Sequence, residues 1–91
     1  MGVVMVDKYL IKEVKKFNQG KYYISEYPTK CKEIRRKINL RTKFKLDFLQ
    51  MLLDQELITQ SVYNQFEFIF KNEQRKFHMC ISGYMSIYDL E

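Results

Sequence analysis

The sequence predicts a helix-rich α+β fold: a helix, a short strand, three helices that include a central helical hairpin, and a C-terminal β-hairpin. Three observations predict it. Apolar residues recur at helical spacing through much of the chain, Lys21 to Tyr27 is rich in β-favouring Tyr and Ile, and from Phe77 the pattern changes to alternation. An all-α arrangement is the alternative.

Asp7 is placed to cap a first helix over about 8–18, in which Leu10, Ile11, Val14 and Phe17 form the apolar side and Lys12, Lys15 and Lys16 the wet side. Asn18-Gln19-Gly20 is the stop signal. Lys21 to Tyr27 then reads as a strand, closed by Pro28. Thr29 is placed to cap a second helix that buries Ile34 and Ile38.

If that helix continued unbroken, Arg41 would fall on the same stripe as Ile34 and Ile38, at ~100° per residue. A break near Asn39 to Thr42 avoids the conflict, and a single long helix is the other possibility. After the break Thr42 is placed to cap a new helix of about 43–56, in which Phe44, Phe48, Leu49, Leu52 and Leu53 make one broad apolar face. Leu57-Ile58 keeps the chain in the core, and Thr59 caps the next helix, with Val62, Tyr63, Phe66, Ile69 and Phe70 on its inner side. The pattern runs out at Lys71 to Lys76. Beyond it Phe77, Met79 and Ile81 alternate with His78 and Cys80, and Ser82-Gly83 is placed as the turn of a hairpin whose second strand is Tyr84 to Tyr88.

At 91 residues the chain has room for one small core, so 1–91 is taken as a single domain. With 46% hydrophobic and 30% charged residues it is too apolar for a disordered chain, and no apolar run approaches the ~18 residues of a membrane span. The opening MGVVMV has no basic n-region and is soon followed by Asp7 and Lys8, so no secretory signal is expected. Two cysteines, Cys31 and Cys80, are then expected as free thiols in a reducing, cytoplasmic setting.

The net charge of +5 is unevenly spread. Residues 29–45 carry eight bases against Glu33, while 46–70 carry four acids and no base. Lys30, Lys32, Arg35, Arg36, Lys37, Arg41, Lys43 and Lys45 are therefore the candidate nucleic-acid-binding residues, because clustered Lys and Arg displace the counterions condensed on phosphates. The same block would serve as a solvated helix face. The neighbouring Tyr22, Tyr23 and Tyr27 have rings suited to stacking unpaired bases, although packing a small core is their commoner use.

Other chemistry has less to stand on. His78 and Cys80, even with Cys31, lack the fourth ligand and the spacing of a zinc site, so no metal or other cofactor is expected. No nucleophile with a base and an orienting acid is visible, and the chain is expected to have no catalytic residues. Helix, helix, hairpin is also the order of a winged helix, with 60–73 as reading helix and 77–88 as wing. Glu67 and Glu73 would oppose phosphate there. Phe48, Met51, Phe66, Phe68 and Phe70 exceed what one face of a small core hides and are the candidate partner interface, a homodimer included.

Leu52 to Tyr63, LLDQELITQSVY, resembles the short helical hairpin called the SHOCT domain, through Leu52-Leu53, Leu57-Ile58-Thr59 and Tyr63. Glu56 stands where that family commonly has glycine, and Val62 where it has an acid. With the helices that flank these letters, over 46–70, the resemblance covers about a quarter of the chain. It implies an oligomerisation or nucleic-acid-associated appendage, often in proteins of bacterial mobile elements, and brings no catalytic residues. The expectation is a non-enzymatic nucleic-acid-binding or accessory regulatory protein, of a phage or mobile element. The alternative is a protein-interaction module, a small adaptor or inhibitor that meets an acidic protein surface.

Overall fold

Helical periodicity runs further than the sequence suggested. The computed structural model describes residues 2–86 and 88, with side chains from Lys8 onward, and its elements are α1 (Gly2–Asn18), α2 (Tyr27–Asp54) and α3 (Gln60–Ile81). One turn of 3-10 helix, Ile24–Glu26, precedes α2. The fold is mainly all-α, and there is no strand among the described residues. The α+β expectation is thus corrected to its all-α alternative, and two local features, at 21–27 and at 77–83, explain why.

The strand expected over 21–27 is a turn. Gly20 adopts φ 70 and closes α1 with a paired cap, its N–H donating to Phe17 O at 3.1 Å and that of Lys21 to Lys16 O at 3.1 Å. Tyr22 and Tyr27 fold back on Phe17, with ring centroids 6.3 and 4.9 Å away. Pro28 does not end a strand; it lies in the first turn of α2, where its missing N–H costs no helical hydrogen bond. Thr29 lies inside α2, and so does Asp7 inside α1, so neither is a cap.

The break expected at 39–42 is absent, and α2 is one helix of 28 residues. Thr42 does not cap a new helix; its hydroxyl donates to Ile38 O at 3.2 Å. Arg41 does lie on the buried stripe, only 8% exposed, and the conflict is met by a partner on α3. Its guanidinium donates to Glu73 Oε2 at 2.6 Å and lies 5.2 Å from the Phe77 ring centroid.

The C-terminal β-hairpin is likewise absent. α3 continues through Lys71 to Lys76 and ends at Ile81, so Phe77, Cys80 and Ile81 reach the core at i, i+3 and i+4. Alternation over five residues is compatible with that spacing, which is why the two could be confused. Ser82-Gly83 is a helix cap: Gly83 has φ 82 and donates to Cys80 O at 3.3 Å, and Tyr84 N–H donates to Met79 O at 2.9 Å. No wing exists among the described residues; Ile87 of the expected second strand lies outside them.

The helical hairpin itself is present, with longer arms than expected. Thr59 caps α3 as its sequence position suggests, accepting from Val62 N–H at 3.2 Å. The preceding turn repeats the cap seen at Gly20 and Gly83, with Glu56 at φ 59 in the left-handed position. All three helix ends therefore stop the same way, two on glycine and one on glutamate.

The core sits at one end. Leu10 and Val14 of α1, Ile34 and Ile38 of α2, and Phe77, Cys80 and Ile81 of α3 form it. Past Thr42 the only buried residue before Phe77 is Leu49, so the tip of the α2–α3 hairpin projects as a two-helix arm. The molecule measures 48 × 22 × 20 Å. At ~1.5 Å per residue α2 is roughly 42 Å long and accounts for most of the long dimension.

Candidate nucleic-acid interface

Because 30–45 is one unbroken helix, its eight bases are distributed around α2 and do not form a single face. Five of them are engaged within the chain. Lys30 pairs with Glu33 at 3.6 Å, Lys37 with Glu13 at 2.8 Å, Arg41 with Glu73 at 2.6 Å, and Lys45 lies 4.0 Å from Glu73. Arg35 is held by α3: it donates to His78 Nδ1 at 2.9 Å and to Ser82 Oγ at 2.7 Å.

Lys32, Arg36 and Lys43 remain. All three are exposed, and they have no ion pair or hydrogen bond among the described residues. At ~100° per residue they fall within about 40° of one another on the side of α2 away from the core. Asn39 lies on the same side and accepts from Gln74 Nε2 and from His78, both at 2.8 Å, which draws the outer side of α3 alongside. Arg75 of α3 is exposed and donates to the neutral Asn72 amide at 3.1 Å, so its charge also stays uncompensated. The acids of 46–70 lie further along the arm.

His78 closes the α2–α3 seam. An arginine only donates, so Nδ1 of His78 accepts from Arg35 and is unprotonated, which leaves the proton on Nε2 to be donated to Asn39 Oδ1. Burial, and secondly the Arg35 charge, holds the ring's pKa below its ordinary value. The two cysteines are held by separate contacts. Cys31 Sγ accepts from Arg35 Nε at 3.3 Å, Cys80 is buried in the core, and the two are not joined by a disulfide. Among the described residues no group of three His, Cys, Asp or Glu side chains is placed to hold a metal ion.

Of the expected partner-interface residues, Phe48, Met51, Phe66 and Phe68 are exposed, while Phe70 is half-buried against Phe66 and beneath Lys45 Nζ. The broad apolar face expected on α2 is split. Leu49 faces α3, whereas Phe44 and Phe48 are 68% and 58% exposed on the flank. Leu40, Phe44, Phe48 and Met51, spaced i, i+4, i+8 and i+11, make a single exposed stripe.

Sequence reading placed Phe44 on a buried face and did not single out Leu40; both are exposed, because α1 covers only one end of α2. It also missed Glu73 and Asn39, which lie 32 and 39 positions from their partners Arg41 and His78. No helix among the described residues is long and apolar enough to cross a membrane. No protein-family model, curated protein or solved structure matches the chain.

Proposed function

We propose that the chain is a non-enzymatic nucleic-acid-binding protein that holds phosphate on the outer face of α2. The observation that carries this reading is the alignment of Lys32, Arg36 and Lys43. Five neighbouring bases are tied into the fold, and these three are left on one side without a counter-charge. Three aligned cations on a rigid helix suit a polyanion better than a small ligand, because they span more than two helical turns and enclose no cavity. The contacts are to phosphate, so affinity is salt-dependent and sequence preference is weak. A cytoplasmic setting and a role as accessory to a mobile element belong to the same proposal; the second is supported by the resemblance at Leu52 to Tyr63.

A second reading is supported by a different observation. The stripe Leu40, Phe44, Phe48 and Met51 runs out onto an arm that no third helix covers, and Phe68 is 73% exposed on the opposite helix. Surfaces of this kind mark protein contact, through self-association or a partner helix. The two readings are compatible, since the stripe and the basic face lie on different sides of α2. Titration of labelled oligonucleotides across a salt series tests the first, and light scattering of the purified protein tests self-association through the second.

A further inference from the structure

We infer that the outer groove of α1 is a second nucleic-acid site, one that takes single-stranded phosphodiester chain and stacks a base on Tyr9. It rests on the nucleic-acid reading of the chain but stands on other residues and another side of the molecule. A groove of about 440 Å³ runs along α1 to the turn after it, lined among others by Tyr9, Lys12, Lys15, Lys16, Lys21 and Tyr22.

Charge is the first argument. The acid in the groove, Glu13, is already taken: Lys37 Nζ donates to both its carboxylate oxygens, at 2.8 and 3.0 Å. Lys12, Lys15, Lys16 and Lys21 have no acidic partner among the described residues. Four ammonium groups around one concavity repel one another, and a ligand bearing several negative charges relieves that repulsion. Side chains three and four apart on a helix stand about 5–6 Å apart at Cβ, a row that can follow successive phosphates of one strand.

The aromatic residues divide between support and contact. Tyr22 is packed on Phe17 with Lys16 Nζ 4.7 Å and Lys30 Nζ 5.4 Å from its ring centroid, so that ring serves to position cations. Tyr9 is 61% exposed, has no ring partner among the described residues, and lies on the same stripe as Lys12 and Lys16 at i, i+3 and i+7. An exposed ring beside a row of cations is the pairing that single-strand binders use, and it offers nothing to a base stacked inside a duplex.

The test is fluorescence anisotropy of labelled oligothymidylate, about 15 nucleotides long so that it fills a site of this class, with the full chain across a salt series. A duplex of equal length is run in parallel. Replacing Lys12, Lys15, Lys16 and Lys21 together by Gln is expected to flatten the slope of log affinity against log salt by about 3, at ~0.7 per phosphate on a single strand. The Lys12→Gln, Lys16→Gln pair gives about half that change and guards against a folding defect, which circular dichroism would show. Tyr9→Leu is expected to weaken single-strand binding on the order of tenfold with the slope unchanged and to leave duplex binding alone.

A folded quadruple variant with wild-type slope overturns the groove. If the loss falls instead on the Lys32→Gln, Arg36→Gln, Lys43→Gln variant, the α2 reading stands and the groove falls. Duplex bound as tightly as single strand, with Tyr9→Leu neutral, overturns the single-strand assignment. Absence of any binding by the wild-type chain at low salt overturns both sites.

Discussion

Arg41 of α2 and Glu73 of α3 meet at 2.6 Å beside the core, and this one contact allows α2 to run unbroken through a charged residue on its buried stripe. Removing one partner of a buried pair is costlier than replacing the charge by an apolar group of similar volume. Glu73→Ala leaves Arg41 with a weakened counter-charge and is expected to destabilise the fold by about 3 kcal/mol, with Arg41→Met costing about 1 kcal/mol or less. Urea unfolding of both variants checks the order. Equal losses would mean that the ion pair, and not the buried charge, sets the energy.

The same pair shows what was legible in the sequence and what was not. That Arg41 conflicts with Ile34 and Ile38 is plain from spacing alone, and a break is the local way out. The remedy actually used is 32 residues away, where no local pattern can reveal it. Leu10, Val14, Ile34 and Ile38 were readable as core because each repeats within its own helix. Phe77 to Ile81 were not, because five residues fit alternation and helical spacing equally and the decision rests on docking against α1 and α2. The basic block was legible as a count of charges, but its partition into five engaged and three outward side chains needed the helix to be continuous.

Glu56 occupies a left-handed position, φ 59, at which Gly20 and Gly83 serve the other two helix ends. A residue with a Cβ pays about 1 kcal/mol for that conformation, partly offset by the greater chain entropy of glycine when unfolded. Glu56→Gly is expected to raise the melting temperature by a few degrees, at roughly 4–8 °C per kcal/mol for a domain of this size. Glu56→Val is expected to lower it. Thermal unfolding followed by circular dichroism distinguishes the two directions.

The stability of the α2–α3 seam should depend on pH through His78. Its folded pKa is depressed, by burial first and by Arg35 second, and Nδ1 faces a guanidinium, so protonation is disfavoured in the folded state. The contribution is complete above the unfolded value of about 6.5 and is lost as pH falls from there through the folded pKa. The midpoint of urea unfolding should fall between pH 7.5 and pH 5 by more in the wild type than in His78→Gln. A His78→Gln variant with the same pH dependence as wild type would place the titration elsewhere.

Phe44 and Phe48 on the arm flank test the second reading of the surface. Light scattering is expected to show a concentration-dependent dimer in the wild type and a monomer after Phe44→Ser with Phe48→Ser. Both side chains are more than half exposed, so the fold should tolerate the change with a loss on the order of 1 kcal/mol or less. A wild-type chain that stays monomeric at high concentration would rule out self-association and leave a partner protein as the remaining occupant.

Whether the outward cations of α2 hold phosphate is decided by the salt dependence of nucleic-acid binding, wild type against the Lys32→Gln, Arg36→Gln, Lys43→Gln variant. The wild type is expected to bind at low salt and to weaken steeply as salt rises. The variant's slope should be lower by about 2 to 3, at ~0.7–0.9 for each phosphate no longer neutralised. A folded variant that binds with the wild-type slope, or a wild type that binds no DNA or RNA at low salt, would contradict phosphate recognition by this face.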